Sequence, residues 1–91
     1  MDWEWERGED VFIVQIRRSD KPGDDRKSLT MIDRPHGGAE SSDRSVFPNL
    51  EAVFAITGPL TKDLRAEGWT LMRTRHGDGT VTHHAPERAT V

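Results

Sequence analysis

The side chains best equipped for chemistry on this chain are its histidines, arginines and tryptophans, and each group supports a different reading. His36, His76 and His83 are the metal-ligating candidates. His76 and His83 bracket a segment containing Asp78-Gly79, and Asp-Gly is the strongest two-residue signal for a type I′ hairpin turn. Such a turn pairs Thr74 with His83 and His76 with Val81, which sets His76 and His83 diagonally on one face. With His36 brought in from a loop, three imidazoles would match a zinc centre that keeps an open position. No His-x-x-x-His helical pair and no cysteine accompanies them. The plainer reading is that they are solvated hairpin residues, and no metal or cofactor is expected.

Arg17, Arg18, Arg73 and Arg75 lie on candidate strands, with Trp3, Trp5 and Phe12 as aromatic neighbours. Sheets that combine arginine with stacking aromatics bind single-stranded nucleic acid. Against this, the net charge is −3, and Glu4, Glu6, Glu9 and Asp10 sit beside the tryptophans. The basic footprint of a nucleic-acid domain is missing. Nucleic-acid binding is therefore the alternative reading, and charges that discourage edge-to-edge aggregation are the simpler explanation.

For catalysis, serine, histidine and aspartate are all present, but none lies in a nucleophile elbow or a comparable motif. The glycines at 37–38 and 77–79 lack the strand–glycine–helix order of a phosphate loop. The carboxylates are scattered through turns, with no apolar surroundings to raise a pKa. The chain reads as non-catalytic.

The tryptophans carry the sharpest signal, since each brings a large apolar area and one donor. Trp69 follows directly on a glycine helix stop and reads as core. Trp3 and Trp5 lie near a terminus, where they either close a sheet edge or anchor an interface. Val11, Ile13, Ile32 and Met72 extend them into an apolar strip on the sheet face away from the helix. The expected partner surface is thus Trp3, Trp5, Val11, Ile13, Ile32 and Met72. Its expected occupants are a second copy of the chain, forming a homodimer, and another protein.

These side chains need a scaffold, and hydrophobic patterning supplies one. Trp3-Glu4-Trp5-Glu6 alternates with period two, and residues 11–18 are β-branched and free of glycine and proline, so both read as strands. A Pro22-Gly23 turn leads to a third strand over 27–33. Residues 34–45 have no periodicity and nearly every turn-forming residue type, and are expected to form a long mobile loop, with 45–47 able to add a short edge strand.

A helix then begins at Pro48-Asn49, with Asn49 as N-cap. Leu50, Val53, Phe54, Thr57, Leu60, Thr61 and Leu64 fall within one stripe of about 120°. Gly58-Pro59 interrupts the helix without shifting the phase of that stripe, which predicts a kink. Gly68 is the expected αL stop. A strand at 69–75, a hairpin turn and a return strand at 81–84 follow, and 85–91 is expected to fray.

Composition sets the outer limits. Ninety-one residues make one domain. Only 33% of them are hydrophobic and 32% are charged, which leaves a modest core for the sheet and helix to share. The absence of cysteine excludes disulfides, thiolate catalysis and cysteine zinc sites. The first six residues lack the basic and apolar regions of a signal peptide, and no apolar run approaches the ~20 residues that span a bilayer. Arginine outnumbers lysine, as in GC-rich bacterial genomes. The expectation is a small soluble cytoplasmic bacterial protein of α+β class. Its four- to five-stranded antiparallel sheet, in the order β-β-β-α-β-β, carries one kinked helix on one face, with a domain over 1–84 and a tail over 85–91.

Overall fold

The first strand in sequence occupies the interior of the sheet. In the computed structural model, which describes residues 1–84, the elements are β1 (Asp2–Arg7), β2 (Asp10–Arg18), β3 (Lys27–Arg34), β4 (Ser41–Phe47), α1 (Leu50–Ala66), β5 (Thr70–Arg75) and β6 (Val81–His83). They form one six-stranded sheet in the order β4-β3-β2-β1-β5-β6, with every neighbouring pair antiparallel. Alternating directions make β4 and β5 run the same way, so their connection must cross over the sheet, and α1 makes that crossing. The α+β class with a single helix and an antiparallel sheet is as expected. The sheet has six strands, where four to five were expected.

The extra strand is β4. Its sequence, Ser-Ser-Asp-Arg-Ser-Val-Phe, has almost no apolar alternation, because an edge strand exposed on both sides has little to bury. It pairs with β3 along its whole length, from Lys27↔Phe47 to Asp33↔Ser41. The expected loop over 34–45 thus shrinks to a tight connection between Arg34 and Ser41. There Gly37 takes a positive φ of 75°, and the Gly38 amide donates to the Pro35 carbonyl at 3.1 Å. The fraying expected over 85–91 concerns residues outside those described.

Helix α1 is continuous for 17 residues, about 25 Å at 1.5 Å per residue. Asn49 caps it by accepting the Ala52 amide at 2.9 Å, and Glu51 places a carboxylate in the first turn. Pro59 lies inside the helix without ending it. The carbonyl it leaves without a donor belongs to Ala55, which is exposed, so water can serve that carbonyl. The C-terminus closes as a Schellman motif. The Trp69 amide donates to Leu64 at 2.9 Å and the Gly68 amide to Arg65 at 3.2 Å, with Gly68 at φ +90°.

The core lies between α1 and one sheet face. Trp5, Val14, Ile16 and Leu29 of the sheet meet Val53 and Leu64 of the helix. Val53 is completely buried. Around this centre Phe12, Met31, Phe47, Leu60 and Leu71 are partly buried. Phe12 packs on Trp69 with ring centroids 5.9 Å apart at 57°, an arrangement aromatic quadrupoles favour. The helix stripe is narrower than its spacing suggests: Leu50 is 40% exposed and Phe54 49%. Leu50 opens the helix and Phe54 sits on the flank of the arc centred on Val53, Leu60 and Leu64. Among the described residues, no helix is long and apolar enough to cross a membrane.

Candidate functional site

One helix covers one face, and cross-strand pairing fixes what the other face carries, because directly opposed residues share a face. One row runs across all six strands as Arg44, Thr30, Gln15, Asp2, Arg75 and Val81. The next runs as Ser42, Ile32, Ile13, Glu4, Arg73 and His83. A third joins Arg34, Val11, Glu6 and Thr70. Val11, Ile13 and Ile32 are therefore neighbours at the middle of the uncovered face. Ile13 keeps only 9% of its surface exposed, although nothing from the helix reaches it.

Ion pairs border this apolar centre. Arg17 binds both carboxylate oxygens of Asp2, and its guanidinium pKa is raised by that bond. Arg73 donates to Glu4 at 2.5 Å and stands 3.8 Å from Glu6. Among the described residues the buried Arg73 Nε has no hydrogen-bond partner. Arg17, Gln15, Arg73, Arg75 and Val81 line a shallow cavity of about 290 Å³ on this face.

The expected partner surface is brought together in part. Val11, Ile13 and Ile32 converge as described. Trp3 and Trp5 do not join them, which corrects the strip drawn from sequence. Trp5 is 2% exposed at the heart of the core, and Trp3 pairs with Val14 on the same helix-bearing face. They also form no sheet edge, because β5 adds itself to the free side of β1. Arginines cover Trp5 and Trp69. The Arg65 guanidinium lies 5.5 Å from the Trp5 ring centre and Arg7 lies 4.6 Å from that of Trp69, so cationic side chains roof the rings from the solvent side. Met72 falls at a register shift where β5 slips against β1 between Glu4 and Trp5, and its carbonyl accepts the His84 amide at 2.9 Å.

The four arginines of the alternative reading are split. Arg17, Arg73 and Arg75 share the uncovered face, but Arg17 and Arg73 are held by carboxylates. Arg18 pairs with Lys27, which pairs with Phe47, and so belongs to the helix-bearing side.

The histidines part in a different way. The β5–β6 register is Arg73↔His83 and Arg75↔Val81, one residue from the two-residue-turn register, because residues 76–80 form a longer loop closed by His76 N–H to Thr80 O at 2.8 Å. A one-residue slip moves side chains to the other face. His76 bonds the Thr82 hydroxyl at 2.7 Å, while His36 lies 3.0 Å from Glu9. No cluster of three metal-ligating side chains occurs among the described residues.

Sequence reasoning passed over two features. His84 bonds the buried Thr74 hydroxyl at 2.8 Å, a contact that only the true register makes visible. A cavity of about 220 Å³ also opens where β2, β3 and β4 meet the β2–β3 turn, lined among others by Arg18, Arg26, Lys27, Ser28 and Arg44. Arg44 gave no signal because its strand carries no alternation. No family model matches this chain, and comparison with curated proteins and with solved structures finds no significant similarity.

Proposed function

We propose that this protein is a non-catalytic binding or regulatory module that works through protein–protein contacts, with a second copy of itself as the occupant of the uncovered sheet face. The observation that carries the reading is Val11, Ile13 and Ile32 grouped on a helix-free face and bordered by paired charges. An apolar centre with a polar rim is the ordinary anatomy of a protein interface.

Charge favours a second copy over a strongly acidic or basic partner. β1 presents Asp2, Glu4 and Glu6, with Arg17 on one side and Arg73 and Arg75 on the other. A surface that carries both signs side by side complements itself when turned about a two-fold axis. The bonding of Arg17 and Arg73 to carboxylates weighs against single-stranded nucleic acid, which needs arginines open to phosphate.

Light scattering at tens of micromolar tests the reading. The expected mass is twice that of the chain, falling to the single chain in Ile32→Glu with the circular dichroism spectrum retained. A monomeric wild type overturns it. Weak dependence of the dimer on salt separates an apolar contact from phosphate contacts, which weaken steeply as salt rises.

A further inference from the structure

We infer that the cavity between the β2–β3 turn and β4 is an anion site that takes a phosphate group, supplied either as inorganic phosphate or as a small phosphomonoester. The starting observation is an excess of cations on a chain whose net charge is −3. Five basic side chains line the cavity and one carboxylate, Asp24, accompanies them. That carboxylate is taken. Arg26 grips it through Nε at 3.0 Å and Nη2 at 2.9 Å, and this bond holds Asp24 well below the usual carboxylate range. Arg17 is taken as well, by Asp2.

Arg18, Lys27 and Arg44 remain. Among the described residues none of the three lies within ion-pair distance of a carboxylate. Arg18 and Lys27 are direct cross-strand partners, and like charges in that position repel unless something between them is negative. Lys27 bonds a backbone carbonyl, that of Asp25 at 2.8 Å, which leaves its charge uncompensated. Ser28, between the Lys27 and Arg44 contributions, is only 9% exposed. Its hydroxyl makes no hydrogen bond to the rest of the described protein and lines the same cavity.

Three cations from three strands and one unpartnered hydroxyl suit a tetrahedral dianion, which accepts several charge-assisted bonds at once. Arginine forks add the planar geometry that phosphate oxygens match. Size narrows the ligand. About 220 Å³ lies below the ~300–1,000 Å³ of pockets that enclose drug-sized molecules, so a phosphate with a small organic remainder fits and a full nucleotide does not. Ser28 and Arg44 share the uncovered face with the proposed dimer surface, whereas Arg18 and Lys27 lie on the helix-bearing side and Arg26 lies in the turn, so Lys27→Gln tests the anion site away from the dimer contact.

The test is titration of the full chain by calorimetry, with chloride holding ionic strength constant. Inorganic phosphate, glycerol 3-phosphate and a short oligothymidylate are the three probes. Saturable binding of phosphate or glycerol phosphate is expected, and the tighter of the two identifies the source. Lys27→Gln and Arg44→Gln should each weaken it about tenfold, the worth of one charge-assisted bond, while Arg75→Gln, outside the cavity, should leave it unchanged. Both variants alter exposed or half-exposed side chains, and a retained thermal midpoint without phosphate shows that they fold. The inference is overturned if neither small anion binds, if both variants bind like the wild type, or if only the oligonucleotide binds.

Discussion

Arg73 on β5 donates to Glu4 on β1 at 2.5 Å, and this bond joins the strand after the helix to the first strand of the chain. The pair is partly exposed, at 42% and 29% of the side-chain surface, and the Arg73 Nε beside it has no partner among the described residues. A double-mutant cycle with Glu4→Ala and Arg73→Ala should give a coupling of about 0.5–1.5 kcal/mol. Urea unfolding of the four proteins measures it, and the coupling should shrink in high salt.

Trp5→Ala should cost about 3–5 kcal/mol, as large-to-small changes at a buried core position do. Trp3 lines the same gap of about 130 Å³ as Trp5, but it is only half-buried where Trp5 is 2% exposed. Its replacement by alanine should therefore cost clearly less. Equilibrium denaturation of both variants ranks them, and equal losses would contradict the burial described.

Two glycines should respond to alanine with opposite signs. Gly58 is helical, and an added Cβ meets nothing within 4 Å apart from its chain neighbours; because Pro59 follows and disfavours helix at a residue with a Cβ, Gly58→Ala should gain less than the ~0.5–1 kcal/mol of an ordinary helical site. Gly68 sits at φ +90° in the helix stop, and Gly68→Ala should lose about 1–2 kcal/mol. Thermal midpoints moving in opposite directions are the readout.

Acid should weaken the β2–β3 turn and the β5–β6 loop. The Arg26 side chain, then its amide, lowers the Asp24 pKa, and the Thr80 hydroxyl, then its amide, lowers that of Asp78. A carboxylate with a depressed folded pKa contributes stability above its unfolded value of about 3.9, and that contribution is lost as pH falls through the folded value. Thermal midpoints of wild type should therefore fall more than those of Asp24→Asn between about pH 5 and pH 2. Both groups are exposed, so the difference should be small and salt-sensitive.

Much of the fold was legible because period and capping are local. Asn49, Gly68 and the alternation of β1 and β2 each carry their meaning within a few residues. What was not legible depends on partners distant in sequence. Trp3 and Trp5 looked like edge anchors, because nothing near them reveals that β5 will pair with β1. Of β4 only residues 45–47 read as a possible edge strand and 41–45 looked like loop, because the strand is made by β3's free edge rather than by its own side chains. The hairpin register turned on one residue of loop length, which moved the histidines apart. Leu50 and Phe54 satisfied helical spacing, yet the helix presents only the arc around Val53 and Leu64 to the sheet. Of the candidate surface, the apolar centre was readable from alternation. The cation-lined cavity was not, since it is assembled from three strands and a turn.

The interior position of β1 has a consequence for how the chain folds. Its first partner, β2, arrives after a two-residue turn, but its second, β5, lies about 70 positions along, with Asp2 opposite Arg75. Until that segment is available, the strand bearing Trp3 and Trp5 has one side unsatisfied and its aromatic surface only partly roofed. Pairings so remote in sequence close late and slow the overall rate. A nascent chain emerging from the ribosome would therefore carry an adhesive flank until β5 has been made, a period in which a chaperone has something specific to hold.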